Sequence, residues 1–236
     1  MSGFYLRGAL VEFMPTGLIP IPNIIVFQYN PESMSHAWTQ PEAPAAGPNQ
    51  TTTNPLAVKG NPGESFCFTL SLDAADSIAD GAASAALAKV SGVYSRLAAL
   101  EMLLYPASAT TGGLLGTVTA AIGSVFGAGG SGGVKRAVPA NTINTVLFVW
   151  GPGRIVPVRV TALTVTERLY DTLLNPTKAE VQITLRVLTD DELKHDTDTL
   201  AGLANAANSY SQGLRQALAV ANLANAAESI LGMLPI

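Results

Sequence analysis

Residues 64–73, Glu-Ser-Phe-Cys-Phe-Thr-Leu-Ser-Leu-Asp, alternate polar and apolar side chains almost without a break, and this run constrains the fold more than any other part of the chain. Successive side chains of a strand point to opposite faces. Phe66, Phe68, Leu70 and Leu72 therefore belong to a core, and Ser65, Thr69, Ser71 and Asp73 to a wetter face. Cys67 sits inside this run and is expected as a small buried side chain rather than a reactive thiol. A lone strand has no independent stability, so the neighbours must come from elsewhere in the sequence. Candidates are residues 4–14 (Phe4, Leu6, Leu10, Val11, Phe13, closed by Pro15-Thr16-Gly17), Ile24–Tyr29, Met34–Thr39 with Trp38, Ile143–Val149, Arg154–Thr166 and Ala179–Leu188. In the last of these Val181, Ile183, Leu185 and Val187 alternate with Gln182, Thr184 and Arg186. Asn30-Pro31-Glu32, Gly151-Pro152-Gly153 and Leu174-Asn175-Pro176-Thr177 supply turns, because proline fixes φ and offers no ladder donor. The expected class is α+β, mainly β, with an antiparallel meander in the C-terminal third.

From about Ala82 to Tyr105 the apolar spacing changes to three and four, with Leu87, Val90, Tyr94, Leu97, Leu100 and Leu104 on one stripe. This predicts one packed helix, ended by Pro106. After Asp190-Asp191-Glu192 alanine, leucine and asparagine dominate, and a second stripe runs through Leu200, Leu203, Ala207, Tyr210, Leu214, Ala217, Leu218 and Ala221. Asp196 and Asp198 stand near its start, where the helix dipole favours acid, and Thr197 or Thr199 is placed to cap it. Residues 41–63 hold five prolines and read as a long loop, of the kind usually kept for a function. Residues 107–133 hold no charge, many glycines and a thirteen-residue apolar centre, 114–126. That centre is short of the ~20 residues a membrane-spanning helix needs. It is either a glycine-tolerant insert or an assembly surface, with Leu114, Leu115, Ile122, Val125 and Phe126 as the contact residues. The organisation expected is one β domain over 1–190 carrying this insert, and a helical extension over 191–236.

Charged residues make up 13% of the 236, against roughly 25% in an ordinary domain, so much of the surface is expected to meet protein. The net charge of −4 and the scatter of the basic residues speak against nucleic acid. The start, Met1-Ser2-Gly3-Phe4-Tyr5-Leu6-Arg7, lacks a basic stretch followed by an apolar run, which leads to an expectation of cytoplasmic assembly. His36 and His195 have no cysteine or carboxylate at metal-ligand spacing. No Gly-x-Ser-x-Gly elbow, P-loop or His-Glu-x-x-His is present, and Lys135 is followed by Arg136 rather than Ser or Thr. No cofactor is expected, and Trp38 and Trp150 are read as core or interface aromatics.

Two segments a hundred residues apart, Val26-Phe27-Gln28-Tyr29-Asn30-Pro31-Glu32 and Val146-Leu147-Phe148-Val149-Trp150-Gly151, each run a strand into a compulsory turn. With the proline-rich stretch, the Phe66–Leu72 strand, the helix ending at Tyr105-Pro106 and the closing hairpin at Ala179-Glu180-Val181, they resemble the N-terminal domain of contractile injection system tube-type proteins over residues 5–190. Phe27, Tyr29, Asn30, Pro31, Phe148, Trp150 and Gly151 carry the resemblance. It implies a tube-type β-barrel, six copies in a ring, no catalysis, and inner tube, spike and baseplate proteins as partners. Hub adaptors of that family often carry a LysM module after this domain, and residues 191–236 do not read as one. That departure and the 107–133 insert favour a baseplate ring joining tube to spike over a repeating or terminal tube subunit. A monomeric β-rich ligand-binding module is the rival reading. For the ring, the strand Ala179–Leu188 is expected at a sheet edge, with Gln182 and Thr184 abutting the next subunit.

Overall fold

Strand β4 (Gly63–Asp73) forms where the alternation places it, with Phe66, Phe68, Leu70 and Leu72 all buried. The computed structural model describes residues 6–14, 21–42, 56–58, 60–79, 84–106, 143–194 and 201–233. Among these the other strands are β1 (Ala9–Met14), β2 (Ile21–Val26), β3 (Met34–Thr39), β5 (Val146–Val149), β6 (Ile155–Tyr170) and β7 (Pro176–Val187). They make one antiparallel seven-stranded sheet in the order β2-β1-β5-β6-β7-β4-β3. The molecule is mainly β with helices added, as the sequence predicts, and the described strands do not close into a ring of ladders.

The centre of the sheet is the β4–β7 pair, where Phe66 faces Leu185, Phe68 faces Ile183 and Leu70 faces Val181, all buried. Next to it, β6 buries Val156, Val158 and Val160 and then slips register between Val160 and Ala162. The extra residue of such a bulge reverses the facing of all that follows. Leu163 and Val165, which would otherwise point outward, return to the inner face and pack on the core. The Thr161 hydroxyl at the slip donates to the Thr184 carbonyl at 3.2 Å.

The sheet is strongly curled. Strands β5 and β4 are separated by β6 and β7, and three spacings of ~4.8 Å would hold them about 14 Å apart if flat. Instead the Phe148 ring of β5 lies 5.3 Å from Phe66 and 5.6 Å from Phe68. The mouth of the curl is covered by helices α1 (Ala74–Ala79), α2 (Ser84–Ser91) and α3 (Tyr94–Met102). Val93, Leu97, Leu100 and Leu103 complete the core.

The single helix expected over 82–105 is thus broken. At Gly92 the chain takes φ +57°, and the following Val93 N–H donates to the Pro176 carbonyl at 2.8 Å. Before the break Leu87 and Val90 turn outward, and after it Tyr94 is also exposed, while Leu97 and Leu100 remain inside. Trp38 is 56% exposed and Cys67 is half-buried on the outer face, opposite the phenylalanines. Neither is a core residue. Strand β7 is interior to the sheet, so Gln182 and Thr184 cannot offer a free edge: Gln182 pairs with Thr69 on one side and Thr164 on the other. Alternating apolar residues predict a strand but not its rank in the sheet.

After β7 come α4 (Asp190–Lys194) and α5 (Ala201–Met233). Of the predicted stripe Ala207 is buried and Leu214 half-buried, but Leu203, Tyr210 and Leu218 face solvent, and the helix docks through Ala204, Ala207, Asn208 and Ser211. Small side chains let the backbone approach, and Ser211 Oγ both accepts from the Ile155 N–H at 3.2 Å and donates to the Ile155 carbonyl at 2.6 Å. Leu200, His195, Asp196, Thr197, Asp198 and Thr199 lie outside the described residues, as does the whole of 107–133.

Two glycines separate backbone strain from collision. A Cβ at Gly92 would meet the Pro176 carbonyl oxygen at 2.2 Å, whereas one at Gly151 (φ +66°) would meet nothing within 4 Å. Gly151→Ala should cost only the left-handed penalty of about 1–2 kcal/mol. Gly92→Ala should lower the thermal midpoint distinctly more, and equal midpoints would contradict the packing described.

Candidate functional site

The residues that carry the family resemblance converge on one structural device, the link between β2 and β3, the two ends of the sheet. As β2 ends, Phe27 N–H donates to the Gly8 carbonyl at 2.9 Å and its ring enters the core, 5.5 Å from Phe68, 6.5 Å from Phe148 and 6.4 Å from Trp150. Gln28 is buried, and its amide acts as a substitute strand: Nε2 donates to the Asp73 carbonyl at 2.8 Å while Oε1 accepts from the Asp73 N–H at 3.0 Å. Asn30 does the same for the approach to β1, with Oδ1 accepting from Gly8 N–H and Nδ2 donating to the Leu6 carbonyl, both at 2.9 Å. Tyr29 reaches the Asp76 carboxylate on α1 through its hydroxyl, and Pro31 is half-buried as the chain turns towards β3. Gly8 has no side chain because there is no room for one: a Cβ would lie 2.6 Å from the Trp150 ring and 2.7 Å from Phe27. Phe148 is fully buried and Trp150 half-buried, and the Trp150 N–H donates to the Arg154 carbonyl across the Gly151 turn at 2.8 Å.

A second constellation lies at the opposite end of β4, and the sequence reading passed over it. Glu64 is in phase with the four apolar residues of its strand and is only 7% exposed. Its Oε1 faces His36 Nε2 at 2.6 Å, and it also receives the two-pronged guanidinium of Arg215 from α5, with Nη1 to Oε2 at 2.8 Å. The imidazole is held between rings, 4.2 Å from Phe66 and 3.6 Å from Trp38, and Arg154 sits 5.0 Å above Phe66. Burial pushes the His36 pKa below its ordinary value; the Glu64 contact opposes that shift, and the charges of Arg154 and Arg215 add to it. Beside this group Asp190 of α4 accepts from the amides of Asn61, Asn208 and Gln212. The signal that could have exposed the cluster is a glutamate standing in the inward phase of β4. A carboxylate there requires a partner, and a search by metal-ligand spacing does not look for one.

The surfaces open to a partner lie elsewhere. Strand β5 pairs only with residues 155–158 of β6, so among the described residues the edge of β6 from 159 to 170 that faces away from β7 has no ladder partner. The turn that follows is stiffened by Asp171, whose Oδ1 accepts from the N–H groups of Leu173 and Asn175. Leu169 and Leu174 are held at φ +53° and +64°, and Leu169, Tyr170, Leu173 and Leu174 are all exposed. Gln182 and Thr184 lie on the outer face, both within reach of Cys67 Sγ, at 3.7 and 3.8 Å. Leu114, Leu115, Ile122, Val125 and Phe126 lie outside the described residues.

Among the described residues no group of three or more His, Cys, Asp or Glu is placed to hold a metal ion. No described helix is long and apolar enough to cross a membrane. No protein-family model matches the chain, and no curated protein matches it either.

Gln28→Ala should destabilise the chain by about 1–3 kcal/mol in urea unfolding, since it leaves the part-buried Asp73 N–H without its acceptor, while the Asp73 carbonyl keeps the Ser77 hydroxyl. A midpoint within error of the wild type would mean that the amide does not bridge the two sheet ends.

Proposed function

We propose that this chain is a structural subunit of a contractile injection system, assembling as a hexameric baseplate ring that joins the inner tube to the spike, without catalysis. The observation that carries the reading is the edge of β6 from 159 to 170, which has no ladder partner among the described residues. A long free edge is an aggregation hazard in a protein that works alone. Six copies related by rotation turn such an edge into a joint that closes on itself. The exposed leucines of the β6–β7 turn and the low overall charge fit a surface that is covered in the working state. The curled sheet, clasped by Phe27–Pro31 and stopped at Trp150-Gly151, supports the tube-type barrel, with the outermost ladders supplied between copies. Gln182 and Thr184 then belong to the outer wall of the ring rather than to its joints. Inner tube, spike and baseplate proteins are the partners in this reading, assembly takes place in the cytoplasm, and neither nucleic acid nor a cofactor takes part.

Thr164 and Thr166 are exposed on β6, and lysine on an edge strand is the usual means of blocking strand addition. The double change Thr164→Lys and Thr166→Lys should leave the thermal midpoint nearly unaltered and abolish sixfold rings in electron micrographs of the chain co-expressed with its tube and spike partners. Rings of normal yield from the double variant would remove the edge from the account. Absence of rings from the wild-type chain with both partners would remove the function.

A further inference from the structure

We infer that His36 is a proton-sensitive latch, whose protonation weakens the docking of helix α5 on the sheet. The inference is independent of the assembly reading. The geometry has three parts. His36 and Arg215 approach the same carboxylate oxygen, Glu64 Oε1, from the edge strand β3 on one side and from α5 on the other. Glu64 is 7% exposed, so water cannot readily replace either donor, while the Arg215 side chain is 42% exposed and has solvent to withdraw into. Apart from Arg215, α5 meets the sheet mainly through alanines, the Ser211 bonds to Ile155 and a Tyr210 hydroxyl donated to the Pro152 carbonyl at 2.9 Å.

The charges facing His36 from the surrounding elements are Glu64 on β4, Arg154 at the start of β6 and Arg215 on α5, with Asp190 of α4 lining the same cleft as Glu64 and Arg215. With neutral imidazole, Nε2–H donates to Glu64 and one guanidinium completes the pair. With imidazolium, three cationic groups crowd around one carboxylate, and the new charge strengthens the claim of His36 on Oε1. Arg215, 42% exposed, can leave by releasing its helix.

Linkage gives the sign. Burial, reinforced by Arg154 and Arg215, holds the His36 pKa below its ordinary value when α5 is docked. Undocking α5 removes the Arg215 charge and part of the cover, so proton affinity rises. Each unit of that rise is a tenfold loss of docking once His36 is protonated, because coupling between two binding events is reciprocal. Docking is therefore at full strength above the ordinary imidazole pKa of ~6.5, and is lost as pH falls from there through the docked value.

The chain has only two histidines, so His195→Gln leaves a single imidazole to follow by NMR in the full-length protein. His36 should titrate below ~6.5, and Arg215→Met should move its midpoint upward. Hydrogen exchange of residues 201–215, corrected for intrinsic rates, should show protection falling several-fold from about pH 7.5 to about pH 5, the range in which histidine changes charge. His36→Gln should abolish that fall. A His36 midpoint that does not respond to Arg215→Met overturns the latch, and that titration decides the matter if His36→Gln does not fold. Equal loss of α5 protection in wild type and His36→Gln overturns it as well.

Discussion

The rest of the structure depends on the meeting of Phe148 with Phe66 and Phe68 across the inside of the sheet. Strands that are not neighbours can share a core only if the sheet bends back on itself. Aromatic side chains are long enough to span what curvature leaves, and each ring pair adds roughly 0.5–1.5 kcal/mol beyond the burial of its surface. Once the curl exists, its two ends come close enough for the residue 27–33 link to join them, and Gln28 can reach Asp73. The clasp stabilises the curl, and the curl makes the clasp possible. Loss of either weakens the other, which is the cooperativity expected of contiguous packed elements.

The strands were legible because β alternation is a local property. Phe66, Phe68, Leu70, Leu72, Val181, Ile183 and Leu185 all point where the pattern puts them. The two strand-to-turn steps at Phe27–Pro31 and Phe148–Gly151 were visible in the sequence, but the meeting of Phe27 with Phe148 and Trp150 was not. What was not legible was set by partners remote in the chain. Gly92 reads as one weak residue in a helical stripe, and only the Pro176 carbonyl, which meets the next N–H, explains the break there. The leucines of α5 mark the more apolar face, yet the sheet takes the alanine face because β6 and the β5–β6 turn demand close approach and a serine hydroxyl. β7 sits inside the sheet, and β6, also inside it, has no ladder partner on its β5 side from 159 to 170 among the described residues, matters of strand order and strand length on which alternation is silent.

The two constellations hold the two ends of β4, the Phe27–Asn30 clasp one end and the Glu64 group the other while attaching α5. Between them runs a sheet whose inner face is apolar and whose outer face is lightly charged. Just beyond Arg215, α5 exposes Leu218, Val220 and Leu223. A subunit so made has a firm interior and an unfinished perimeter. In the proposed assembly such a perimeter is completed by neighbouring copies, which would tie the low charge seen in the sequence to the edge of β6 that has no ladder partner among the described residues.

The free edge can be tested directly on the isolated chain by amide hydrogen exchange along residues 159–170. If that edge is open, protection should alternate, with amides directed at β7 exchanging slowly and those directed away exchanging at rates near those of exposed peptide. Continuous strong protection along both sides of β6 in the monomer would contradict the account, because the edge proposed for assembly would already be covered by the chain itself.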